Sequence, residues 1–104
     1  MSERILITGG TGLVGAALAE AYNSTSDEVT SIGSSQYNLT KQSQVNSMFM
    51  NHRPTKVIHA AAKVGGLGSN MKYKGEYFYK NLMMNTNVID QANVWGVKRL
   101  VAFL

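Results

Sequence analysis

The chain has 104 residues, of which 44% are hydrophobic and 15% charged, and its formal net charge is +4 at pH 7. This length and composition suit one globular domain with its own core and exclude a disordered chain. The lysines and arginines are scattered along the chain rather than clustered, so we expect no nucleic-acid partner.

Strand-like and helix-like patterns alternate along the chain. The first strand is a continuous apolar run, which is typical of a parallel strand covered on both faces. Pro54, the only proline, breaks the chain ahead of the third strand. In chain order the sequence predicts strands over 4–8, 28–32, 56–59 and 98–104, and helices over 12–22, 41–51 and 75–95.

This order indicates an α/β fold, a Rossmann-like doubly wound parallel sheet that is incomplete with four strands. Helices between parallel strands act as crossovers, and these are right-handed. We therefore expect the pattern β-α-β-α-β-α-β with the strand order 3-2-1-4.

The second and third helices each predict a buried face. We expect Thr40 to cap the second helix and Val45, Met48 and Phe49 to face the core. Gly96 should terminate the third helix. One apolar stripe of this helix should pack on the sheet, and it consists of Phe78, Leu82, Ile89 and Ala92. A bordering stripe should stay uncovered and promote self-association, and it consists of Tyr77, Met84, Val88 and Trp95.

The glycines around the start of the first helix carry the strongest functional signal. Gly9 lets the buried strand turn sharply, Gly12 lets the backbone approach a pyrophosphate, and Gly15 lets the helix pack tightly on the strand. The free N–H groups and the positive dipole at the start of the helix favour phosphate. The pattern predicts a dinucleotide-binding turn, with an ordinary glycine-rich loop as the alternative.

The end of the second strand indicates which dinucleotide binds. An NAD enzyme places Asp or Glu there to bind the ribose 2′-hydroxyl, whereas this chain has Gly33-Ser34-Ser35. Small hydroxyls can bind a 2′-phosphate and no carboxylate repels it, so the sequence favours NADP, although no Arg stands there. Lys41 is the nearest cation, and it fits either a phosphate contact or a solvated position in a helix's first turn.

The segment before the second helix allows several interpretations. Asn38 and Leu39 can bracket an adenine ring, form an Asx-type turn, or do both. Tyr37 and Lys41 have the Tyr-x-x-x-Lys spacing with which short-chain dehydrogenases place an acid/base tyrosine beside a lysine. We reject that role here, because this segment follows the second strand and lies at the adenosine end of a bound dinucleotide, far from its nicotinamide.

Small residues follow the third strand. The side chains of Ala60-Ala61-Ala62 let a ligand lie against the backbone at the crevice of an open α/β sheet. The next loop, over 63–68, has one cation, Lys63, and it either contacts ligand or only connects two elements. We interpret His59 as a packed strand residue rather than a base.

Several absences narrow the function classes. The chain has no cysteine and two histidines, which excludes disulfides and thiolate sites and leads us to expect no metal. No apolar run is long enough to span a bilayer, and the first strand begins close to Met1. We therefore expect no membrane contact, no signal peptide and a cytoplasmic location.

Three motifs together carry a resemblance to a known family. They are Thr8-Gly9-Gly10-Thr11-Gly12-Leu13-Val14-Gly15, Val57-Ile58-His59-Ala60-Ala61-Ala62-Lys63-Val64-Gly65-Gly66-Leu67 and Asn81-Leu82-Met83-Met84-Asn85-Thr86-Asn87-Val88. With them the chain closely resembles the GDP-L-fucose synthases, extended short-chain dehydrogenases/reductases that act as GDP-4-keto-6-deoxy-D-mannose epimerase-reductases. The glycine turn marks only the superfamily, whereas the Ala-Ala-Lys-Val-Gly-Gly loop over 61–66 is more specific.

The resemblance implies NADP(H) as the cofactor, a GDP-sugar as the substrate, and a homodimer formed through the third helix and the one that follows it. The pyrophosphate would lie on the glycine turn and the nicotinamide near 60–63. The implied cofactor-binding residues are Gly9, Thr11, Gly12, Leu13, Val14, Gly15, Ser34, Asn38, Leu39, Ala60, Ala61, Ala62 and Lys63. The implied substrate-binding residues are Val64, Gly65 and Gly66.

The chain departs from the family pattern at its end. The family's catalytic Ser follows the fourth strand and its Tyr-x-x-x-Lys comes later, and this sequence reaches neither. We therefore expect residues 1–104 to form the N-terminal part of an NAD(P)-binding Rossmann domain that lacks the substrate domain and is inactive alone. Two alternatives stay open: part of another NAD(P)-dependent nucleotide-sugar epimerase or dehydratase, and a non-catalytic dinucleotide-binding or assembly module.

Overall fold

Within the residues that the structure describes, strands and helices alternate as the sequence predicts. The structure is a computed structural model that describes residues 3–9, 12–22, 27–33, 35–60 and 71–102. The elements there are β1 (Arg4–Thr8), α1 (Leu13–Tyr22), β2 (Glu28–Ile32), α2 (Gln42–His52), β3 (Lys56–His59), α3 (Met71–Val94) and β4 (Arg99–Ala102). Neighbouring strands pair in parallel, which confirms the Rossmann-like α/β fold.

The strand order is β2-β1-β3-β4, so the expected order 3-2-1-4 is wrong. The third strand lies beside β1, on the side away from β2, and Thr8 pairs with both Ile32 and His59. A right-handed crossover can run in either direction along a sheet, provided that its helix lies on the matching face. Helical periodicity alone does not reveal that direction. The chain reverses its direction of travel at β1, which makes the gap between β1 and β3 the topological switch point.

Helices cover both faces of the sheet. On one face α1 packs over Ile5, Ile7 and Ile58. On the other face α2 and α3 enclose a larger core, which contains Leu6, Ile32, Leu39, Val45, Met48, Phe49, Val57, Met84, Val88 and Ala92. Successive residues of β1 therefore point into different cores, which explains its unbroken apolar sequence.

The long helix α3 begins earlier than the predicted Gly75 and ends where the sequence indicates. Gly96 adopts a positive φ of 68°. The N–H groups of Val97 and Gly96 donate to the carbonyls of Ala92 at 2.9 Å and Asn93 at 3.2 Å, which is the pairing typical of a glycine-terminated helix. No helix in the described part of the chain combines the length and the apolar character that crossing a bilayer would need.

The two apolar stripes of α3 are exchanged relative to expectation, except that Ala92 is buried as predicted. The buried stripe consists of Met84, Val88 and Ala92. The exposed stripe consists of Phe78, Leu82 and Ile89, which are 71%, 54% and 44% exposed. Both stripes recur at helical spacing, so the sequence defines an apolar helix without defining which side meets the sheet. The side chain of Tyr77 lies outside the described residues.

The start of α2 differs from the prediction by one residue, whereas its buried face is as predicted. Lys41 is the N-cap residue and makes no side-chain capping hydrogen bond. The hydroxyl of Thr40 donates instead to Oδ1 of Asn38, at 2.6 Å. The Thr40 hydroxyl is therefore hydrogen-bonded to Asn38 and does not cap the helix.

Candidate functional site

The carboxyl end of β1 turns into α1 through the glycine pattern. Gly9 has a φ of 72°, a conformation that side chains rarely adopt. The N–H of Gly12 donates to the carbonyl of Gly9 at 2.9 Å, and the carbonyl of Gly12 accepts the N–H of Ala16 at 2.8 Å. The strand thus reverses in a tight turn, and α1 begins at the switch point with its N–H groups directed to that edge of the sheet.

Gly12 is held in a place where a side chain does not fit well. A Cβ at this position would lie 3.3 Å from the carbonyl oxygen of Gly9, which is tighter than ordinary van der Waals contact. Gly15, one turn further along α1, is buried. The first glycine thus has the conformation that the spacing predicts and the third is buried, whereas the close contact at the second is with the Gly9 carbonyl.

A second turn follows β2. The N–H of Gly33 donates to Oε1 of Gln36 at 2.7 Å, and the N–H of Gln36 donates to the carbonyl of Gly33 at 3.1 Å. No Asp or Glu occurs between Ile32 and α2. This edge of the sheet therefore lacks the carboxylate that would bind a ribose 2′-hydroxyl and repel a 2′-phosphate.

Asn38 and Leu39 have different environments. Oδ1 of Asn38 accepts the N–H of Thr40 at 3.1 Å, which forms the Asx-type turn that the sequence predicts. Leu39 is buried in the core, and its carbonyl accepts Nδ2 of Asn87 on α3 at 2.9 Å. The exposed residue of the pair is Asn38, so only its side chain faces outward from this segment.

A buried hydrogen-bonded chain crosses the switch point, and the sequence interpretation missed it. Oγ1 of Thr8 lies 2.6 Å from Nδ1 of His59, and Nε2 of His59 lies 2.8 Å from Oδ1 of Asn85 on α3. Since an amide oxygen only accepts, Nε2 carries the proton and Nδ1 accepts from the Thr8 hydroxyl. The chain therefore joins β1, β3 and α3 at the edge where α1 begins.

Burial controls the charge of this histidine. His59 is fully buried, and desolvation lowers its pKa below the ordinary 6.5, while the hydrogen bond to Asn85 opposes this shift less strongly. The ring is therefore neutral at pH 7. The interpretation of His59 as a packed strand residue is confirmed. The sequence feature that could have indicated its hydrogen bond is the presence of a Thr and a His at the ends of two apolar strands.

The Tyr-x-x-x-Lys spacing does not form a catalytic pair. Tyr37 precedes α2, and Lys41 is the N-cap residue of that helix, so the two do not share a helical face. The Tyr37 hydroxyl accepts Nδ2 of Asn51 at 3.0 Å, and its ring packs edge-on against His52 with centroids 6.1 Å apart. The structure supports a packing role for this tyrosine.

Several predicted site residues lie wholly or partly outside the described part of the chain. Leu13 and Val14 lie in the first turn of α1, where only their backbone is described. Ala60 lies directly after β3, and its N–H donates to the carbonyl of Thr8 at 3.1 Å. The predicted site residues that lie outside the described part of the chain are Thr11, Ser34, Ala61, Ala62, Lys63, Val64, Gly65 and Gly66.

A parallel doubly wound sheet with a glycine turn and a helix N-terminus at its switch point defines a dinucleotide-binding domain of the Rossmann type. The chain belongs to the NAD dependent epimerase/dehydratase family, whose family model matches residues 5–104.

Comparison with individual proteins gives a consistent result. The chain is 40% identical over 104 residues to a GDP-L-fucose synthase of Dictyostelium discoideum, covering 96% of this chain and 32% of that protein. It superimposes on a GDP-L-fucose synthetase from Naegleria fowleri bound to NADP with a TM-score of 0.85 and 36% identity, over 94% of this chain and 32% of that one. It also resembles a GDP-mannoheptose C4 reductase from Campylobacter jejuni with NADP bound, at a TM-score of 0.88 and 28% identity, over 98% of this chain and 30% of that one. The chain thus spans about a third of the length of these relatives.

Proposed function

We propose that this chain is the NADP(H)-binding part of an epimerase-reductase similar to GDP-L-fucose synthase, which converts GDP-4-keto-6-deoxy-D-mannose to GDP-L-fucose. The observation that carries the proposal is the tight turn at Gly9 and Gly12, which opens α1 at the switch point. The relatives named as GDP-L-fucose synthases support the reaction, and the neighbours bound to NADP support the cofactor.

The turn is suited to a pyrophosphate. A Cβ at Gly12, the second glycine, would crowd the Gly9 carbonyl. Because Gly12 has no side chain, a pyrophosphate would be able to approach its backbone directly. The first N–H groups of α1 have no partner within their own helix and supply hydrogen-bond donors and a positive dipole end to the phosphates. In this proposal the pyrophosphate contacts the segment from Gly9 to Gly15, including the backbone of Leu13 and Val14.

The end of β2 supports NADP rather than NAD. With no carboxylate between Ile32 and α2, a 2′-phosphate meets no like charge there. Ser34 would donate its hydroxyl to this phosphate, and the exposed Asn38 would lie beside the adenine. Lys41, exposed at the start of α2, is the nearest cation to this edge in the sequence.

The end of β3 would carry the nicotinamide side of the cofactor. The Thr8–His59–Asn85 chain joins β3 to β1 and α3 at the point where the backbone leaves β3, and its histidine is neutral at pH 7. Ala60 to Lys63 would follow the cofactor, and Val64 to Gly66 would border the sugar. Bound NADPH would supply the hydride for the reductive step, and this chain's residues would bind and orient it.

Self-association is the further part of this proposal. Phe78, Leu82 and Ile89 form an exposed apolar stripe along α3, and such a stripe is stabilised when a symmetric copy covers it. We propose a homodimer formed through α3, with the edge of β4 as a less favourable contact because edge pairing can propagate. We also propose a cytoplasmic location, which fits a chain without cysteine.

Calorimetric titration of the 104-residue chain with NADPH and with NADH tests the cofactor proposal. We expect saturable binding of NADPH and weaker binding of NADH, because nothing at the end of β2 would hold the ribose 2′-hydroxyl of NADH in the usual way. Tighter binding of NADH would contradict the preference, and no binding of either would contradict the proposal. The same chain, incubated with NADPH and GDP-4-keto-6-deoxy-D-mannose, should give no turnover.

A further inference from the structure

A second cleft lies at the amino end of the strands, opposite the edge where the glycine turn lies. Its volume is about 210 Å³, and its walls include Arg4, Arg53, Thr55, Trp95 and Lys98. These residues come from the start of β1, the end of α2 and the connection between α3 and β4. Three cations therefore converge on one small cavity from three separate parts of the chain.

The backbone holds these cations in place without neutralising them. Nε of Arg4 donates to the carbonyl of Arg53 at 2.6 Å, and Nε of Arg53 donates to the carbonyl of Met50 at 3.1 Å. Each guanidinium has five N–H donors, so each keeps four beyond this contact. The N–H of Lys98 donates to the carbonyl of Thr55 at 3.0 Å, which fixes the backbone that carries the ammonium group.

No carboxylate within the described residues forms an ion pair with Arg4, Arg53 or Lys98; the pair found there joins Lys80 and Glu76 on α3. Glu28 is the register partner of Arg4 on β2, and the two residues line a neighbouring cavity together, but they form no ion pair. Among the described residues that line the cleft there are three cations and no carboxylate.

The aromatic wall is also fixed. The guanidinium carbon of Arg53 lies 4.7 Å from the centroid of the Trp95 ring, and Nε1 of Trp95 donates to Oδ1 of Asn46 at 3.1 Å. Arg53 reaches this position from a left-handed backbone conformation with φ 46° and ψ 54°. The hydrogen bond to Asn46 and the stacking on Arg53 together hold the aromatic ring at the wall of the cleft.

Neutralisation of helix ends explains only part of the cluster. Cations near a helix C-terminus often bind its last carbonyls, as Arg53 does with Met50. At the end of α3, however, the carbonyls of Ala92 and Asn93 already accept backbone N–H groups. Neutralisation of these carbonyls therefore does not account for Lys98, whose side chain forms no hydrogen bond or ion pair with the described residues.

We propose that this cleft binds a small phosphate-bearing anion, a single phosphate or a diphosphate group. Guanidinium forks match phosphate oxygens in a bidentate manner, and an ammonium group adds a point charge. The cavity is smaller than the roughly 300–1,000 Å³ of sites for larger organic ligands, which favours the anion over a whole dinucleotide. This site is separate from the proposed cofactor site, because the two lie at opposite ends of the strands.

Trp95 is the only tryptophan of the chain and reports directly on the cleft. The experiment titrates its fluorescence in the full chain with pyrophosphate, against sodium chloride at matched ionic strength. We expect a saturable change with pyrophosphate and none with chloride. Lys98→Gln should weaken binding about tenfold or more, because it removes a charged hydrogen bond, whereas Lys80→Gln, which alters a lysine on the exposed part of α3, should bind as the parent does.

Two further arms separate this site from the cofactor site and identify the source of the anion. Gly12→Val should keep the fluorescence response, since the glycine turn does not reach the cleft, even if it loses NADPH. Saturation with GDP as well as pyrophosphate would identify a nucleotide diphosphate as a ligand, and saturation with pyrophosphate alone would identify the free anion. A non-saturating response equal to that of chloride, or equal affinity in Lys98→Gln with an unchanged circular dichroism spectrum, would overturn the proposal.

Discussion

The hydroxyl of Thr8 and Nδ1 of His59 lie 2.6 Å apart, and this buried hydrogen bond joins the carboxyl ends of the two central strands. The bond lies at the switch point, where the chain reverses its direction of travel across the sheet. Asn85 extends it from the other ring nitrogen to α3. The edge that presents the glycine turn is thus braced by a polar contact between two strands and a helix rather than by apolar packing alone.

The first prediction concerns stability and pH. Burial lowers the pKa of His59 in the folded state below its unfolded value of about 6.5. Below pH 6.5 the unfolded chain takes up a proton that the folded chain does not, so the free energy of unfolding should be greatest above that pH and fall as the pH drops towards the folded pKa. Urea unfolding at a series of pH values between 5 and 8 measures this slope.

Two variants assign the slope to one residue. His59→Gln should lose this component of the pH dependence and be less stable at pH 7.5 by about 1–3 kcal/mol, because buried partners lose a hydrogen bond. His52→Gln removes the other histidine and should keep the slope. Loss of the slope in His52→Gln, or its survival in His59→Gln, would show that another group titrates.

The second prediction tests the glycine turn. Gly12→Val should abolish NADPH binding in calorimetry, because the branched side chain would crowd the Gly9 carbonyl and occupy the space of the pyrophosphate. Gly75→Val is the matched control. A Cβ at Gly75, on the exposed surface of α3, meets nothing within 4 Å. Undiminished binding by Gly12→Val would remove the turn from the site.

The third prediction concerns the left-handed conformation of Arg53. Arg53→Gly should be more stable than Arg53→Ala by about 1 kcal/mol, because only glycine adopts this backbone conformation without a Cβ penalty. Comparing these two variants cancels the loss of the guanidinium contacts. At Met50, inside α2, the same comparison should reverse, since alanine is favoured over glycine in a helix by about 1 kcal/mol. Urea unfolding measures all four variants.

The fourth prediction concerns self-association. The chain should form a dimer at micromolar concentration, and Leu82→Glu should convert it to a monomer by placing a charge in the exposed stripe of α3. Val94→Glu, at a 64% exposed position near the end of the same helix, should remain dimeric because Val94 lies outside that stripe. Multi-angle light scattering gives the mass. A monomeric parent chain, or a dimer that persists in Leu82→Glu, would reject α3 as the interface.

The sequence determines the kinds of element here more completely than their arrangement. The apolar runs, the positions of Gly9 and Gly96 and the core side of α2 follow from local rules, and the structure confirms them. The order of the strands does not, because a right-handed crossover can run in either direction. A correct prediction of the strand order would therefore need information on long-range contacts, which local sequence patterns do not contain.

The candidate site likewise has one part that local sequence patterns predict and another part that they do not. The glycine turn could be predicted because each glycine answers a local steric demand. The chain from Thr8 through His59 to Asn85 could not, because its members are 51 and 26 residues apart in sequence. Likewise α3 carries two apolar stripes of similar spacing, and only the packed structure decides that Val88 is buried and Leu82 exposed.

The placement of β1 between β2 and β3 has a consequence for the order of folding. On one side Arg4 pairs with Glu28 of β2, whereas on the other side Ile5 pairs with Lys56 of β3. During synthesis, β1 therefore keeps one row of backbone N–H and C=O groups unpaired until β3, which begins at Lys56, has been made. Long-range pairing of this kind is slow, so the first strand of this sheet in chain order is the one that waits longest for its last partner.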